Sequence, residues 1–216
     1  QTELNGLSGV VNAILRNAIK QLEINNLPSV PNNKVERIAY YESIPNWLVK
    51  DIFHWFGDIK GEKIVRGFNK KPSIDLRINI LKTNLNKCIK DFKSRDIKVE
   101  PIENMNNAIT FKSKVGSIKA LPGYKDGNWV VQNRSSQWVA PLLNPQKGEK
   151  ILDTCAAPGI KTTHLAELIN DHGEIWAIDR SDKRLRILDE NLNRLNLKSI
   201  RTLNADATSL AEHKPE

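Results

Sequence analysis

Residues 9–23 set Val10, Val11, Ile14, Leu15, Ala18, Ile19 and Leu22 three and four positions apart, the stripe of an amphipathic helix, with Ser8 as its expected N-cap. One such helix cannot bury its stripe alone, so it either docks on a later part of the chain or is the remnant of a helical domain. Residues 24–35, rich in Asn and Pro, read as a linker. From Pro45 the apolar positions describe two short helices broken near Gly57, with Trp47, Leu48, Ile52, Phe53, Phe56, Ile64 and Val65 supplying apolar faces, and Trp47 and Trp55 expected in a core rather than as base-stacking platforms. Ile74, Leu76, Ile78 and Ile80 then alternate with polar residues, the pattern of a half-buried strand. A helix is expected over 85–95 and short strands near 97–101, 108–111 and 117–120, which together make a small α+β domain of split-βαβ kind. A brief strand at 129–131 and a helix over 135–143 lead into a different rhythm. From Lys150, strand (150–154), helix (161–170), strand (174–179), helix (181–196) and strand (200–206) alternate, as in a parallel, doubly wound sheet.

Composition narrows the class. With 39% apolar and 27% charged residues in 216, the chain is of globular type, and disorder, collagen and a pure coiled coil are excluded. It lacks any run of the roughly 18 apolar residues that a membrane helix needs, so a soluble, cytoplasmic protein is expected. Two cysteines, Cys88 and Cys155, imply neither a disulfide framework nor a cysteine-rich zinc site. His54, His172 and His213 show no ligand spacing, and no metal is expected. Charge is uneven: residues 1–145 hold 22 Lys and Arg against 13 Asp and Glu, whereas 146–216 hold 11 against 12. The basic part is expected to meet a polyanion, with Lys70, Lys71, Lys82, Lys87, Lys90, Lys93 and Lys98 as phosphate contacts.

Ligands of parallel sheets bind beyond the carboxyl ends of the strands. Three features fall there: the run Asp153–Gly159, then Asp179, then Asp206. Asp179 lies twenty residues beyond Gly159, the distance at which an acidic residue grips a nucleotide's ribose hydroxyls, and Asp206 is placed to accept from an adenine amino group. Any one aspartate reads equally well as a turn former or helix cap. The loop lacks both G-x-G-x-x-G and G-x-x-x-x-G-K-[ST], so NAD and ATP are poorly served, and a nucleoside without phosphates, S-adenosyl-L-methionine, suits it better.

The run DTCAAPGIKTTHLAEL, with AIDRSDKRL and LNADAT after it, resembles motifs I to III of the RNA (cytosine-5) methyltransferases, in particular the bacterial branch acting on 16S ribosomal RNA. WVVQNRSSQWVAPLL resembles the helix that leads into motif I, Trp47–Asn79 the family's small RNA-contacting domain, and LNGLSGVVNAILR the last helix of a NusB-like domain. The resemblance implies four parts: 1–27, a remnant of the NusB-like domain; 28–44, a linker; 45–125, a small α+β RNA-binding domain; and 126–216, an incomplete Rossmann-like methyltransferase domain. It implies S-adenosyl-L-methionine held by Cys155, Ala156, Ala157, Pro158, Gly159, Ile160 and Lys161, with Asp179 on the ribose and Asp206 near the adenine. Where the family commonly has Gly and Asp, this chain has Ile160 and Asn133. The implied activity is methylation of carbon 5 of a cytosine, through a cysteine adduct at carbon 6, in 16S ribosomal RNA before the subunit is fully assembled. The working cysteines of the family lie after motif III, so the nucleophile is expected beyond Glu216 and this chain alone is expected to be inactive. The alternative reading is a non-catalytic RNA-binding protein on a degenerate methyltransferase fold.

Overall fold

The structure is a computed structural model that describes residues 7–24 and 28–212. The chain forms two compact units, 1–71 and 72–216. In the first unit, α1 (Ser8–Glu23) matches the expected helix but buries none of its residues. Ser8 sits within its first turn, and Leu7 occupies the cap position without a side-chain cap bond. The expected linker gives way after Asn33 to a helix, α2 (Lys34–Glu42), because the Asn33 side chain accepts from the Val35 and Glu36 N–H groups and nucleates the first turn. Helix α3 (Asn46–Phe68) is interrupted at Gly57, whose φ of 71° and ψ of 168° leave the helical region, as the sequence implies. Ile38 and Ala39 of α2 close over Val49, Ile52 and Val65 of α3. Trp47 and Trp55, expected in that core, are 63% and 64% exposed, since a pair of helices has one buried side each.

The second unit holds both sheets. Strands β1 (Asp75–Ile78), β2 (Val99–Pro101), β3 (Ala108–Phe111) and β4 (Trp129–Val131) form an antiparallel sheet in the order β2-β3-β1-β4, with α4 (Leu85–Lys93) between β1 and β2. This is the expected split-βαβ arrangement, with two corrections. The segment 117–120 is not a strand but a 3₁₀ turn at Ile118–Ala120, because the chain must leave the sheet to reach the far side of β1. β4 completes this sheet, so a boundary at 125/126 falls inside it. Leu76 and Ile78 face α4 and join Cys88, Phe92, Ile109 and Trp129 in one core. The polar residues Asp75 and Arg77 are buried too, and β1 is covered on both faces rather than half buried.

The expected helix over 135–143 is two short turns, α5 (Arg134–Gln137) and α6 (Val139–Leu143). Pro141 has no N–H to offer the Gln137 carbonyl, and the ladder breaks there. Strands β5 (Lys150–Asp153), β6 (Glu174–Asp179) and β7 (Ile200–Asn204) are parallel, in that order, with α7 (Ile160–Leu168) and α8 (Asp182–Leu195) as their crossovers. No reversal of strand order occurs among the described residues. Helix α7 is buried at every position from Thr162 to Glu167, which accounts for its lack of an amphipathic stripe.

Candidate functional site

The ends of β5, β6 and β7 carry the predicted site. Asp153 closes β5, accepting from the Thr162 hydroxyl at 2.8 Å and the Cys155 N–H at 3.3 Å, which turns the chain sharply into the loop. The Ala156 N–H donates to the Ile178 carbonyl of β6, and the Gly159 N–H to the Ala156 carbonyl. The Ala157–Pro158 peptide is cis. Gly159 has φ of +91°, and a Cβ there would lie 2.0 Å from Leu188 Cδ1 of α8. Its need for glycine is therefore conformational and steric. Ile160, by contrast, opens α7 with an ordinary φ and packs on the core, so a β-branched residue is accommodated.

Two clefts flank this loop and share Cys155 as a wall. One, of about 280 Å³, is lined by Gln132, Asn133, Asp153, Cys155, Pro158, Ile160 and Lys161 among others. The other, of about 380 Å³, brings Cys155 together with Asp179, Arg184 and Asp206. Ala156 and Ala157 line the first cleft, and Gly159 lines neither.

Asp179, at the end of β6, is 3% exposed; its carboxylate accepts from the Ala157 N–H at 3.2 Å and the Ser181 N–H at 3.0 Å. The Arg184 guanidinium stands 3.2 Å from it and also donates to the Ala157 carbonyl. Arg184 escaped the sequence reading, although a cation in the first turn of a helix runs against the helix dipole and so announces a partner. Asp206 accepts from the Thr208 hydroxyl and N–H, which hold its carboxyl below the usual carboxylate range. That is the turn-forming role the sequence offered as an alternative, in a residue that also faces the cleft. Cys155 is exposed, whereas Cys88 is buried in the antiparallel sheet's core, and burial pushes its thiol up.

Behind the loop stands Arg77 of β1. Its Nε and Nη2 donate to the two Glu167 carboxylate oxygens at 3.0 and 2.8 Å, Nη2 also to Thr163, and Nη1 to Gln132 Oε1 and the Ile160 carbonyl. All five N–H groups of the guanidinium are used. Gln132 and Ile160 are walls of the first cleft, so a side chain of the antiparallel sheet fixes part of the site. Among the described residues no three of His, Cys, Asp and Glu converge as metal ligands, and no helix is long and apolar enough to cross a membrane. His213 lies outside them.

Residues 140–216 match the family model described as 16S rRNA methyltransferase RsmB/F, and residues 44–117 match the RsmF/B-like ferredoxin-like domain. Both matches are to domains of the RsmB/F methyltransferases, and together they take in most of the chain. A probable ribosomal RNA small subunit methyltransferase B of Synechocystis is 39% identical over 205 residues, 95% of this chain and 46% of the relative. The ribosomal RNA small subunit methyltransferase B of Proteus mirabilis is 35% identical, over 88% of this chain and 43% of its own. The chain thus spans about half the length of the curated relatives it matches. The crystal structure of PH0851 superposes with a TM-score of 0.78 at 29% identity, over 88% of this chain and 43% of that one. The RsmB/F ferredoxin-like match starts at 44, so it takes in α3 together with most of the antiparallel sheet.

Proposed function

We propose that the protein to which this chain belongs methylates carbon 5 of a cytosine in 16S ribosomal RNA, with S-adenosyl-L-methionine as donor and a cysteine adduct at carbon 6. The observation that carries this reading is the meeting of Asp179 and Asp206 with the Cys155–Lys161 loop at the carboxyl ends of adjacent parallel strands. The donor set fits the cofactor. Ribose hydroxyls and an adenine amino group are hydrogen-bond donors, and the cleft meets them with carboxylates; a sulfonium is cationic, and no glycine-rich phosphate cradle competes for the site. When bound, S-adenosyl-L-methionine supplies an electrophilic methyl group. Asp179 would take the ribose hydroxyls, Asp206 would take the adenine edge, and the backbone from Cys155 to Lys161 would hold the rest of the nucleoside, with Gly159 acting through helix packing.

Carbon 5 of cytosine is a weak nucleophile until a thiolate adds to carbon 6. Neither cysteine of this chain suits that role: Cys88 is 2% exposed with its thiol pushed up, and Cys155 is a wall of the cofactor cleft. The adduct is assigned to another cysteine of the protein, and residues 1–216 alone are inactive. The target base must leave its stack, which favours RNA that is not yet enclosed in a finished subunit.

Titration calorimetry with S-adenosyl-L-methionine tests the cofactor site. Saturable binding is expected, weakened at least tenfold in Asp179→Ala and also reduced in Asp206→Ala, whose exposed side chain leaves the fold intact. No binding by the unaltered chain, or equal binding by both variants, overturns the reading.

A further inference from the structure

Further along α7 from the cofactor loop lies another cleft, of about 300 Å³, between the β2–β3 turn and α5 to α7. Asn104, Asn106 and Asn107 line it from the turn, Gln137 and Trp138 from α5 and its end, and His164 from α7. Its chemistry is polar but uncharged. The one ionised side chain on its wall, Arg77, is paired with Glu167 and has no N–H left to give. His164 is 8% exposed, and burial, with Arg77 nearby, pushes its imidazole down to about 3, so it is neutral.

Neutral lining disfavours a phosphate or an ammonium group. His164 Nδ1 is buried without a hydrogen-bond partner, a group that stays unsatisfied unless something polar enters. At the rim the Trp138 indole is 45% exposed. A half-exposed indole beside amides and an imidazole is the chemistry that holds a single unstacked base, by stacking on its face and hydrogen bonds to its edge. A volume of about 300 Å³ admits one nucleoside and little more.

We propose that this cleft captures one unpaired nucleobase of the RNA substrate, distinct from the base that is methylated. The proposal rests on the reading that RNA is the substrate. It places a point of sequence or shape selection on the seam between the antiparallel sheet and α7.

The test uses the full chain and a fluorescein-labelled single-stranded RNA of twelve nucleotides, with 4-thiouridine placed at successive positions. Trp138→Ala is expected to weaken binding about tenfold, the scale of one base–aromatic stack, with an unchanged dependence on salt, and Trp138→Phe to retain most of the affinity. Photo-crosslinks are expected on the segments holding Met105 or Trp138. Unchanged affinity in Trp138→Ala with no such crosslink overturns the base site and leaves the RNA reading standing. A loss accompanied by a shallower salt slope identifies a phosphate contact instead and also overturns it. Failure of the unaltered chain to bind RNA overturns both.

Discussion

Arg77→Met removes the cation from the most enclosed ion pair of the second unit. Arg77 and Glu167 side chains are 2% and 1% exposed, and the substitution keeps the bulk of the stem while withdrawing five donors. Deleting one partner of such a pair costs about 3–5 kcal/mol, because the remaining charge stays buried without compensation. A whole domain is stable by only about 5–15 kcal/mol, so the loss is a large share. With a urea slope of about 2 kcal/mol/M, the midpoint should fall by about 2 M. Near-ultraviolet circular dichroism reads the transition, with the fully buried Trp129 as reporter. Replacing the pair by Arg77→Met with Glu167→Leu should restore most of the stability, since an apolar pair of similar volume leaves no orphaned charge.

The deficit should also depend on pH, with a defined sign. Burial raises the Glu167 carboxyl above its ordinary value, and Arg77 opposes that shift. Without Arg77 only the more distant charge of Arg194 still opposes it, and the folded-state value rises further. Below the unfolded value of about 4.3 both states hold the proton and the penalty vanishes. As pH rises from there, the unfolded chain releases its proton first, and folding loses stability until the folded value is passed. The variant should therefore trail the natural chain by more at pH 8 than at pH 5. A deficit below about 1 kcal/mol, or one that shrinks as pH rises, refutes the role given to this pair.

Two further outcomes test the scaffold of the site. Gly159→Ala should lose about 2–4 kcal/mol in urea unfolding, from a side chain forced to positive φ and from overlap with Leu188, and in a double-mutant cycle with Leu188→Ala the two losses should fall short of their sum by the steric part. Burial alone would raise the Asp75 carboxyl, but the Arg134 guanidinium and N–H, which donate to it at 2.9 to 3.2 Å, outweigh it and hold it below the ordinary value. Its contribution is then present above the unfolded value of about 3.9 and lost as pH falls through the folded one. Asp75→Asn should be about 2 kcal/mol less stable at pH 7 and should lack that acid-limb loss in a pH series of unfolding curves.

Much of the fold is written in local pattern. The alternation in β1, the helix–strand rhythm from Lys150 and the Gly57 break each depend on a few neighbouring residues, and each element formed where its period indicated. The candidate site was legible for a related reason: Asp153, Asp179 and Asp206 sit at strand ends, and parallel strands align their ends on one edge of the sheet. The failures share a cause as well. Asn33, Trp47 and Trp55 were misjudged because caps and covering depend on what packs nearby, which periodicity does not report. At 160, where the family commonly has glycine, the backbone asks for none: the positive φ belongs to Gly159, one residue earlier, which only the folded loop reveals.

The deepest miss is the polar face of β1. An alternating strand reads as apolar inside and polar toward water, and Asp75 and Arg77 fit that template by type. Here the second face meets α5 and α7, so the same alternation sorts two buried surfaces: aliphatic groups toward α4, ions toward Arg134 and Glu167. A carboxylate and a guanidinium are tolerated there only because each finds a full set of partners. Those partners include Gln132 and Ile160, two walls of the first cleft beside the Cys155–Lys161 loop. Any shift of the antiparallel sheet must therefore strain or break bonds that shape the candidate site, and no apolar contact of the same area would impose so specific a register. If that register matters to the site, Arg77→Lys, which keeps the charge but loses the fork, should weaken S-adenosyl-L-methionine binding more than it lowers stability.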